Sequence, residues 1–437
     1  MGIEKSVEAL VDFAAHVLRV VMEKRWSHDK AYQEAVRRLG WRRLQGLKPK
    51  TLYRVSRSIV SDYYLLRYAE ERVYGARGGS RRLARLWLLL RGEEAVKLQP
   101  ELESGVERLR RRLLRQMPRR VESVDELLEG LEGVDLLAVK YSYPRWFVER
   151  FVSLLGYSEA ERLLAALNEE VWWIRVNTLK TDVDTIVERL EEKGVFVRRD
   201  KDLPYMLRVV DYSEPLHHLE EMWRGEIVFQ DKASALVVEA LGPQPGDYIV
   251  DFAAAPGIKA TLIAMLTENK VDMVLLDVSR ERVKRMMRVL RLYGVDLSRV
   301  HVAVVDSRFW WSPRQPPKIL LDAPCSSSGA IGKDPAIKMH LEDYSWVERF
   351  VRLQSELLAN AVTQTERVVY ATCSLLPEEG EEHIVRKGYE LEEPGIPGEP
   401  GYRVYGEAVA RARRLMPHVH ETQGFFIARL VSPLARV

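Results

Sequence analysis

The strongest constraint on this chain is the alternation of apolar strands with helices from residue 247 almost to the end. YIVDFAAA is followed by a helix from about Ile258, VDMVLLD (271–277) by the helical RERVKRMMRVLRLYG (280–294). Then come RVHVAVVD (299–306), KILLD (318–322), a long helix near 343–365, RVVYATCS (367–374) and a late strand GFFIARL (424–430). Nearly continuous apolar strands separated by helices specify a parallel sheet covered on both faces. The expected class is α/β.

In open α/β sheets ligands bind beyond the carboxyl ends of the strands, near the switch in strand order. The expected strands end at Asp251, Asp277, Asp306, Asp322 and Cys373. One such aspartate is ordinary helix capping; four in succession with a cysteine point to a ligand site. The first loop, Ala253-Ala254-Ala255-Pro256-Gly257-Ile258-Lys259, matches neither G-x-G-x-x-G nor the P-loop. A short loop with one glycine lets the backbone approach a small adenosine-type ligand. Asp277, 26 residues beyond Asp251, stands where a carboxylate accepts from ribose hydroxyls, and Asp306 would lie near the adenine edge. Together they predict a nucleoside cofactor without a pyrophosphate.

The chain has two cysteines, Cys325 in LDAPCSSSG and Cys373 in YATCSLLPEEGEE. No metal-ligand spacing surrounds them, so no metal is expected. An isolated cysteine is usually a small buried hydrophobe, but both of these follow strand ends and would meet at one pocket if their strands are neighbours. A thiolate there suits a pyrimidine. Carbon 5 of cytosine is a poor nucleophile until sulfur adds to carbon 6, and the base must be unstacked to be reached. Lys259, or the helix start at Glu378–Glu382, would favour the thiolate. Asp322 would serve ring nitrogen 3 as the acid, and Cys325 stands close enough to help remove the carbon 5 proton.

Residues 1–135 read as an all-helical domain, 136–240 as mixed helix and strand, and 241–437 as the catalytic sheet. VWWIRVNTLK (171–180), 205–210 and 225–229 are strand candidates, 183–193 is a helix, and LEEPGIPGEPGY (391–402) reads as a surface loop. The net charge of +3 carries little information by itself. Arginines crowd the first third, as at Arg81, Arg82, Arg85 and Arg110, Arg111, Arg112. Such runs suit a phosphate-rich partner, although a solvated helix face laced with ion pairs reads the same way. No stretch of the sequence has the length and apolarity of a membrane span, nor the N-terminus those of a signal peptide. The expected location is the cytoplasm, and no self-complementary stripe argues against a monomer.

RVNTLK (175–180), FQDKAS (229–234), DFAAAPGIKA (251–260), LLDVSRERV (275–283), DAPCSSSG (322–329), ATCSLLPEEGEE (371–382) and ETQGFFIARL (421–430) together resemble the Sun/Fmu family of RNA cytosine-5 methyltransferases. The resemblance covers residues 140–435. It implies a Rossmann-like methyltransferase sheet with an RRM-like subdomain over 136–240, and S-adenosylmethionine as cofactor. It implies that Cys373 attacks the base and Cys325 assists release. The implied cofactor contacts are Ala253 to Lys259, Asp277, Arg282, Asp306 and Asp322; Arg175, Asn177, Gln230 and Lys232 are candidates for RNA contact. Trp172-Trp173 and Trp310-Trp311 are further candidates for stacking on bases. The sequence departs from the family pattern at Ala253, Ile258, Ala260 and Ser327. Ile258, β-branched where glycine is usual, is expected to narrow the loop and forbid positive φ. The helical first domain resembles a NusB-like RNA-binding module. The expected substrate is ribosomal RNA, with transfer RNA second. A catalytically silent RNA-binding ribosome-assembly factor is the alternative. A DNA cytosine methyltransferase, with the Pro-Cys thiol as nucleophile, is a third reading.

Overall fold

The computed structural model of the chain describes residues 3–213, 216–312 and 318–431. Its contacts divide it into two compact units: Met1–Glu169 with Ile331–Tyr344, and Glu170–Ala330 with Ser345–Val437. This division differs from the three parts read from sequence. It falls at 169–170 rather than 135–136, and it takes residues 331–344 out of the catalytic segment.

The first unit is helical. Ile3–Lys24, His28–Leu39, Pro49–Ser61, Tyr63–Tyr74, Ser80–Leu98 and Glu103–Gln116 are its main helices. Ile3–Lys24 buries Val7, Leu10, Val11, Ala14, Val17, Leu18 and Val21, the stripe that its apolar spacing requires. Ser27 caps the next helix by accepting from Lys30 N, Pro49 starts the third at a position that needs no N–H donor, and left-handed Gly75 ends the fourth. Many arginines of this unit are spent on internal pairs. Glu8 alone meets Arg81 (3.0 Å), Arg85 (3.1 Å) and Arg112 (2.6 Å), and these guanidinium groups hold its carboxyl below the usual range despite partial burial.

Residues 331–344 pack with these helices. Trp146 Nε1 donates to Leu341 O (2.9 Å), and buried Lys338 donates to Ser61 O (3.0 Å) and Tyr141 O (2.9 Å). Its ammonium stands 4.1 Å from the centre of the Tyr143 ring, and burial pulls its pKa down to about 7. Backbone carbonyls and a ring face are what a buried ammonium requires in place of water.

The second unit holds two sheets. The smaller consists of β1 (Trp173–Val176), β2 (Val195–Arg199), β3 (Met206–Tyr212) and β4 (Ile227–Phe229), antiparallel in the order β2-β3-β1-β4. The helix Val183–Glu192 buries Ile186 and Leu190 in the same core as Ile174 and Leu207. Sequence reading found β1, β3, β4 and this helix but not β2, which buries only Val195 fully.

The larger sheet contains β5 (Tyr248–Asp251), β6 (Asp272–Asp277), β7 (Val300–Val304), β8 (Lys318–Asp322), β9 (Arg367–Thr372), β10 (Glu390–Glu392), β11 (Glu399–Pro400), β12 (Arg413–Leu415) and β13 (Phe425–Val431). Their order is β11-β12-β13-β9-β8-β5-β6-β7, with β10 also on β13. The run β9-β8-β5-β6-β7 is parallel, and β13 is antiparallel to β9. Successive residues enter different cores. Ile249, Leu320 and Val369 face one, and Val250, Ile319 and Val368 the other. A strand buried on both faces loses polar alternation, which is why these segments read as continuous apolar runs. β6 and β8 flank β5 on opposite sides, so the strand order reverses there and opens a crevice at the carboxyl ends.

The 391–402 segment is not only a surface loop: β10 and β11 lie at or near its ends, and it buries Ile396 and Tyr402. Proline and glycine hid these contacts, because both break the periodicity on which a sequence reading depends. Among the described residues no helix is long and apolar enough to cross a membrane.

Candidate active site

β5 delivers Asp251 to the floor of the crevice. Burial pushes its carboxyl up to about 7, opposed by a hydrogen bond from Ala253 N (3.0 Å). The chain then runs through Ala253, Ala254, Ala255 and Pro256 to Gly257, where φ is +96°. A Cβ at Gly257 would also lie 2.8 Å from Met286 Cγ, so glycine is required twice over. The helix Ile258–Leu266 starts at the next residue. The expected penalty at Ile258 is therefore absent, because positive φ falls on Gly257 and Ile258 is already helical.

β6 ends at Asp277, whose Oδ1 accepts from Ser279 N (2.8 Å). The buried Oδ2 has Arg282 Nη1 2.9 Å away but accepts no aligned hydrogen bond, leaving an acceptor for a ribose hydroxyl. Arg282 also donates to Ala255 O, which ties the loop after β5 to the helix after β6. Asp306 lies two residues past β7; Arg308 grips it through Nε (3.1 Å) and Nη2 (2.7 Å) and holds its pKa below the usual carboxylate value. A spare buried carboxylate oxygen, a one-glycine loop and a strand reversal fit a nucleoside cofactor such as S-adenosylmethionine.

The two thiols meet on the other side of the reversal. β8 and β9 are paired neighbours, Asp322 opposite Ala371, so the turns that follow them are adjacent. Cys325 Sγ lies 2.9 Å from Cys373 Sγ, and the Ser327 hydroxyl stands 3.5 Å from Cys373 and 4.0 Å from Cys325. Donation from Cys325 stabilises a thiolate on Cys373, which holds Cys373 below the ordinary thiol value although burial opposes it. The same contact, reinforced by burial, raises Cys325.

Lys259 donates to Asp322. Burial opposes its charge, but Asp322, Asp251 and the Cys373 sulfur together keep Lys259 above its ordinary value, as an ammonium. Thus Cys373, Cys325, Asp322 and Lys259, named from sequence, share one site. Ser327 sits at φ +61°, a conformation that favours glycine.

A second set of residues, not foreseen from sequence, braces the thiol turns. Buried Glu379 accepts from Ser326 N (2.8 Å), the Ser326 hydroxyl and Gln354 Nε2 (3.0 Å). Gln354 also donates to Pro324 O (2.8 Å), and its Oε1 lies 3.2 Å from His383 Nε2. The Ser328 and Ser374 hydroxyls are 2.9 Å apart and join the two turns directly. Glu378, Glu379 and Glu381 of the run PEEGEE are all buried, and the run gives no hint which of them meets the thiol turns; only the order of β8 beside β9 decides it.

The candidates for RNA contact do not form a surface. Arg175, Asn177, Gln230 and Lys232 are all buried. Arg175 donates to Thr261 Oγ1 (2.6 Å), Asn177 to Gly225 O (2.8 Å) and Tyr293 O (3.0 Å), and Lys232 to Asp200 (2.6 Å) and Asp202 (2.7 Å). Arg175, Asn177 and Lys232 tie the small sheet and its loops to the rest of the unit, a role that polar residues in a motif do not reveal from sequence, while the buried Gln230 amide makes no side-chain hydrogen bond among the described residues. Trp173 is buried and Trp311 is 61% exposed. Among the described residues no group of three or more His, Cys, Asp or Glu side chains is placed to hold a metal.

The strand order, the carboxylates at the strand ends and the cofactor loop define a Rossmann-like, S-adenosylmethionine-dependent methyltransferase. Comparison with known proteins makes this specific. Residues 238–431 match the family model for 16S rRNA methyltransferase RsmB/F, and residues 143–213 match its ferredoxin-like domain. The chain is 31% identical to ribosomal RNA small subunit methyltransferase B of Shigella flexneri serotype 5b, over 73% of this chain and 72% of that one. It resembles the crystal structure of PH0851 with a TM-score of 0.74 and 26% identity, covering 98% of this chain and 99% of that one. NSun6 from Pyrococcus horikoshii, solved with SFG, an S-adenosylmethionine analogue, gives a TM-score of 0.60 at 26% identity, covering 67% of this chain and 99% of that one. The chain belongs to the RsmB/F methyltransferase family.

Proposed function

We propose that this protein methylates carbon 5 of a cytosine in RNA through a covalent adduct with Cys373. Ribosomal RNA is the favoured substrate and transfer RNA the second choice. The observation that carries the reading is the pair of thiols 2.9 Å apart, with the Lys259–Asp322 pair beside Cys373.

Bound S-adenosylmethionine supplies an electrophilic methyl group; Ala253 to Lys259, Asp277, Arg282, Asp306 and Asp322 would hold it. Cys373, kept toward the thiolate by Cys325 and the Ser327 hydroxyl, adds to carbon 6 of an unstacked cytosine. Asp322, with Lys259 as its proton source, hydrogen-bonds ring nitrogen 3 and neutralises the charge that the addition puts on the ring. Carbon 5 is then nucleophilic. After it is methylated, Cys325 passes its thiol proton to Lys259, left neutral by the earlier proton transfer, and as a thiolate takes the carbon 5 proton; the electron pair re-forms the 5,6 double bond, Cys373 leaves as a thiolate, and ring nitrogen 3 returns its proton through Asp322 to solvent. An RNA substrate of this kind places the work of the enzyme in the cytoplasm. The helical unit serves as its NusB-like RNA-binding module.

The test uses an RNA carrying 5-fluorocytosine, which has no carbon 5 proton to lose. Wild type should form an adduct stable on a denaturing gel, and Cys373→Ala should form none. Bisulfite sequencing of cellular RNA with and without the gene identifies the modified base. An adduct that survives Cys373→Ala but vanishes with Cys325→Ala would invert the roles of the two thiols, as the DNA-type reading requires.

A further inference from the structure

The arginine-rich first third belongs to the helical unit, yet a long row of cations, unpaired among the described residues, lies on one helix of the other unit. The helix Arg280–Leu292 carries Arg280, Arg282, Lys284, Arg285, Arg288 and Arg291 against a single acid, Glu281. All six basic residues are exposed. Arg282 is committed to Asp277 and Ala255. Among the described residues, Arg280, Lys284, Arg285, Arg288 and Arg291 form no ion pair, whereas Glu4, Glu8 and Asp62 each hold arginines in the helical unit.

Spacing arranges these charges. Positions 280, 284, 288 and 291 recur at intervals of four, four and three, which places them on one face as a stripe about 16 Å long. The opposite face is anchored, since Met286 and Leu290 are buried. The stripe begins three residues after the cofactor carboxylate Asp277. It ends against the turn that carries Trp223, because Lys180 Nζ donates to both Leu292 O (2.7 Å) and Arg224 O (2.8 Å). A Cβ at Gly225 would lie 2.2 Å from Leu292 O, so the two backbones are in contact. Trp223 is 75% exposed. A line of unpaired cations leading to an exposed indole is the arrangement that takes a phosphate backbone and stacks a base.

We infer that the 280–292 helix and Trp223 form a docking surface for the backbone of the RNA substrate, with an unpaired base stacked on Trp223. This rests on the reading of the substrate as RNA. The stripe occupies the catalytic unit itself and continues from its cofactor loop. Its first residue lies three beyond Asp277, at the carboxyl edge of the sheet where the thiol turns also lie, and the contact does not draw on the helical unit.

The test measures binding of an unmodified small-subunit rRNA transcript to the full-length protein over a range of salt. The triple variant K284E/R288E/R291E should bind at least ~10-fold more weakly at low salt, and its log K against log salt slope should fall by about 2 to 3. W223A should lose about 5- to 100-fold while keeping the wild-type slope, as expected of stacking rather than charge. Binding of S-adenosylmethionine by both variants should stay within about twofold of wild type. K284Q/R288Q/R291Q repeats the test if the acidic variant fails to fold. K201E/K387E/R403E changes net charge equally at exposed sites elsewhere. A loss as large in that control, or an unchanged slope in the stripe variant, overturns the inference; the latter would leave an acidic protein as the occupant. Wild type that binds the transcript but transfers no methyl would sink the proposed function while leaving this surface standing.

Discussion

Cys325 and Cys373 follow neighbouring parallel strands and bring their sulfurs to 2.9 Å. Each sulfur sets the other's proton affinity, so the pair is chemically asymmetric although both residues follow strand ends. That asymmetry fits one nucleophile and one proton acceptor.

Cys373→Ala is expected to cut methyl transfer on the order of 10³-fold or more, because the covalent route is lost. Cys325→Ala should instead accumulate protein–RNA adduct on a denaturing gel with natural RNA. Equal adduct from wild type and Cys325→Ala would count against the release role.

Lys259→Met removes the ammonium beside Cys373 and Asp322. The Cys373 thiol should then titrate at higher pH, and alkylation by iodoacetamide should need more alkaline solution to reach the same rate. Since Cys325 also reacts with that reagent, the measurement belongs in a Cys325→Ser background. A pH profile of alkylation identical to that of the parent would exclude a contribution of Lys259 to thiolate stabilisation beyond that of Cys325 and Ser327.

Glu379→Gln keeps size but replaces one acceptor oxygen by an NH2, so that either the Ser326 hydroxyl, at Oε2, or Ser326 N and Gln354 Nε2, at Oε1, lose their acceptor. Leaving such buried groups unsatisfied costs about 1–3 kcal/mol each at most, shared by local adjustment. The expected result is a lower melting temperature and a kcat reduced without a matching change in KM, since the thiol turns shift while RNA contacts do not. Normal kcat in a destabilised variant would make the brace structural only.

His383 provides the pH signature. Burial pushes its pKa down to about 4, and Gln354 Oε1, which can only accept, requires a proton on Nε2 of the neutral ring. The unfolded chain takes up the second ring proton near its ordinary value of 6.5. The stabilisation is therefore complete above pH 6.5 and is lost as pH falls toward 4, by up to roughly 3 kcal/mol. Denaturant midpoints between pH 7 and pH 4.5 should fall less steeply in His383→Gln than in wild type. Parallel curves would show that this ring does not carry the acid sensitivity.

The sequence by itself determined the catalytic sheet and the identities of its reactive groups. Continuous apolar strands announce burial on both faces, and a residue at a strand end must project into the crevice, so Asp251, Asp277, Asp322 and Cys373 were legible from position alone. Tertiary structure decided which polar residues face inward. RVNTLK and FQDKAS contain the residue types that contact RNA, yet their arginine, asparagine and lysine satisfy buried carbonyls, hydroxyls and carboxylates. Arg81, Arg85, Arg91, Arg108 and Arg112 are paired with Glu4, Glu8 or Asp62, which other segments bring beside them. Of the buried glutamates in PEEGEE, packing alone sends Glu379 to the turn after β8 and Glu381 to Arg414. Period and strand ends are local properties of the chain, and one sequence records them. Pairing of a charge or a hydrogen bond depends on which distant segment arrives beside it, and that is settled by the order of strands and helices in space.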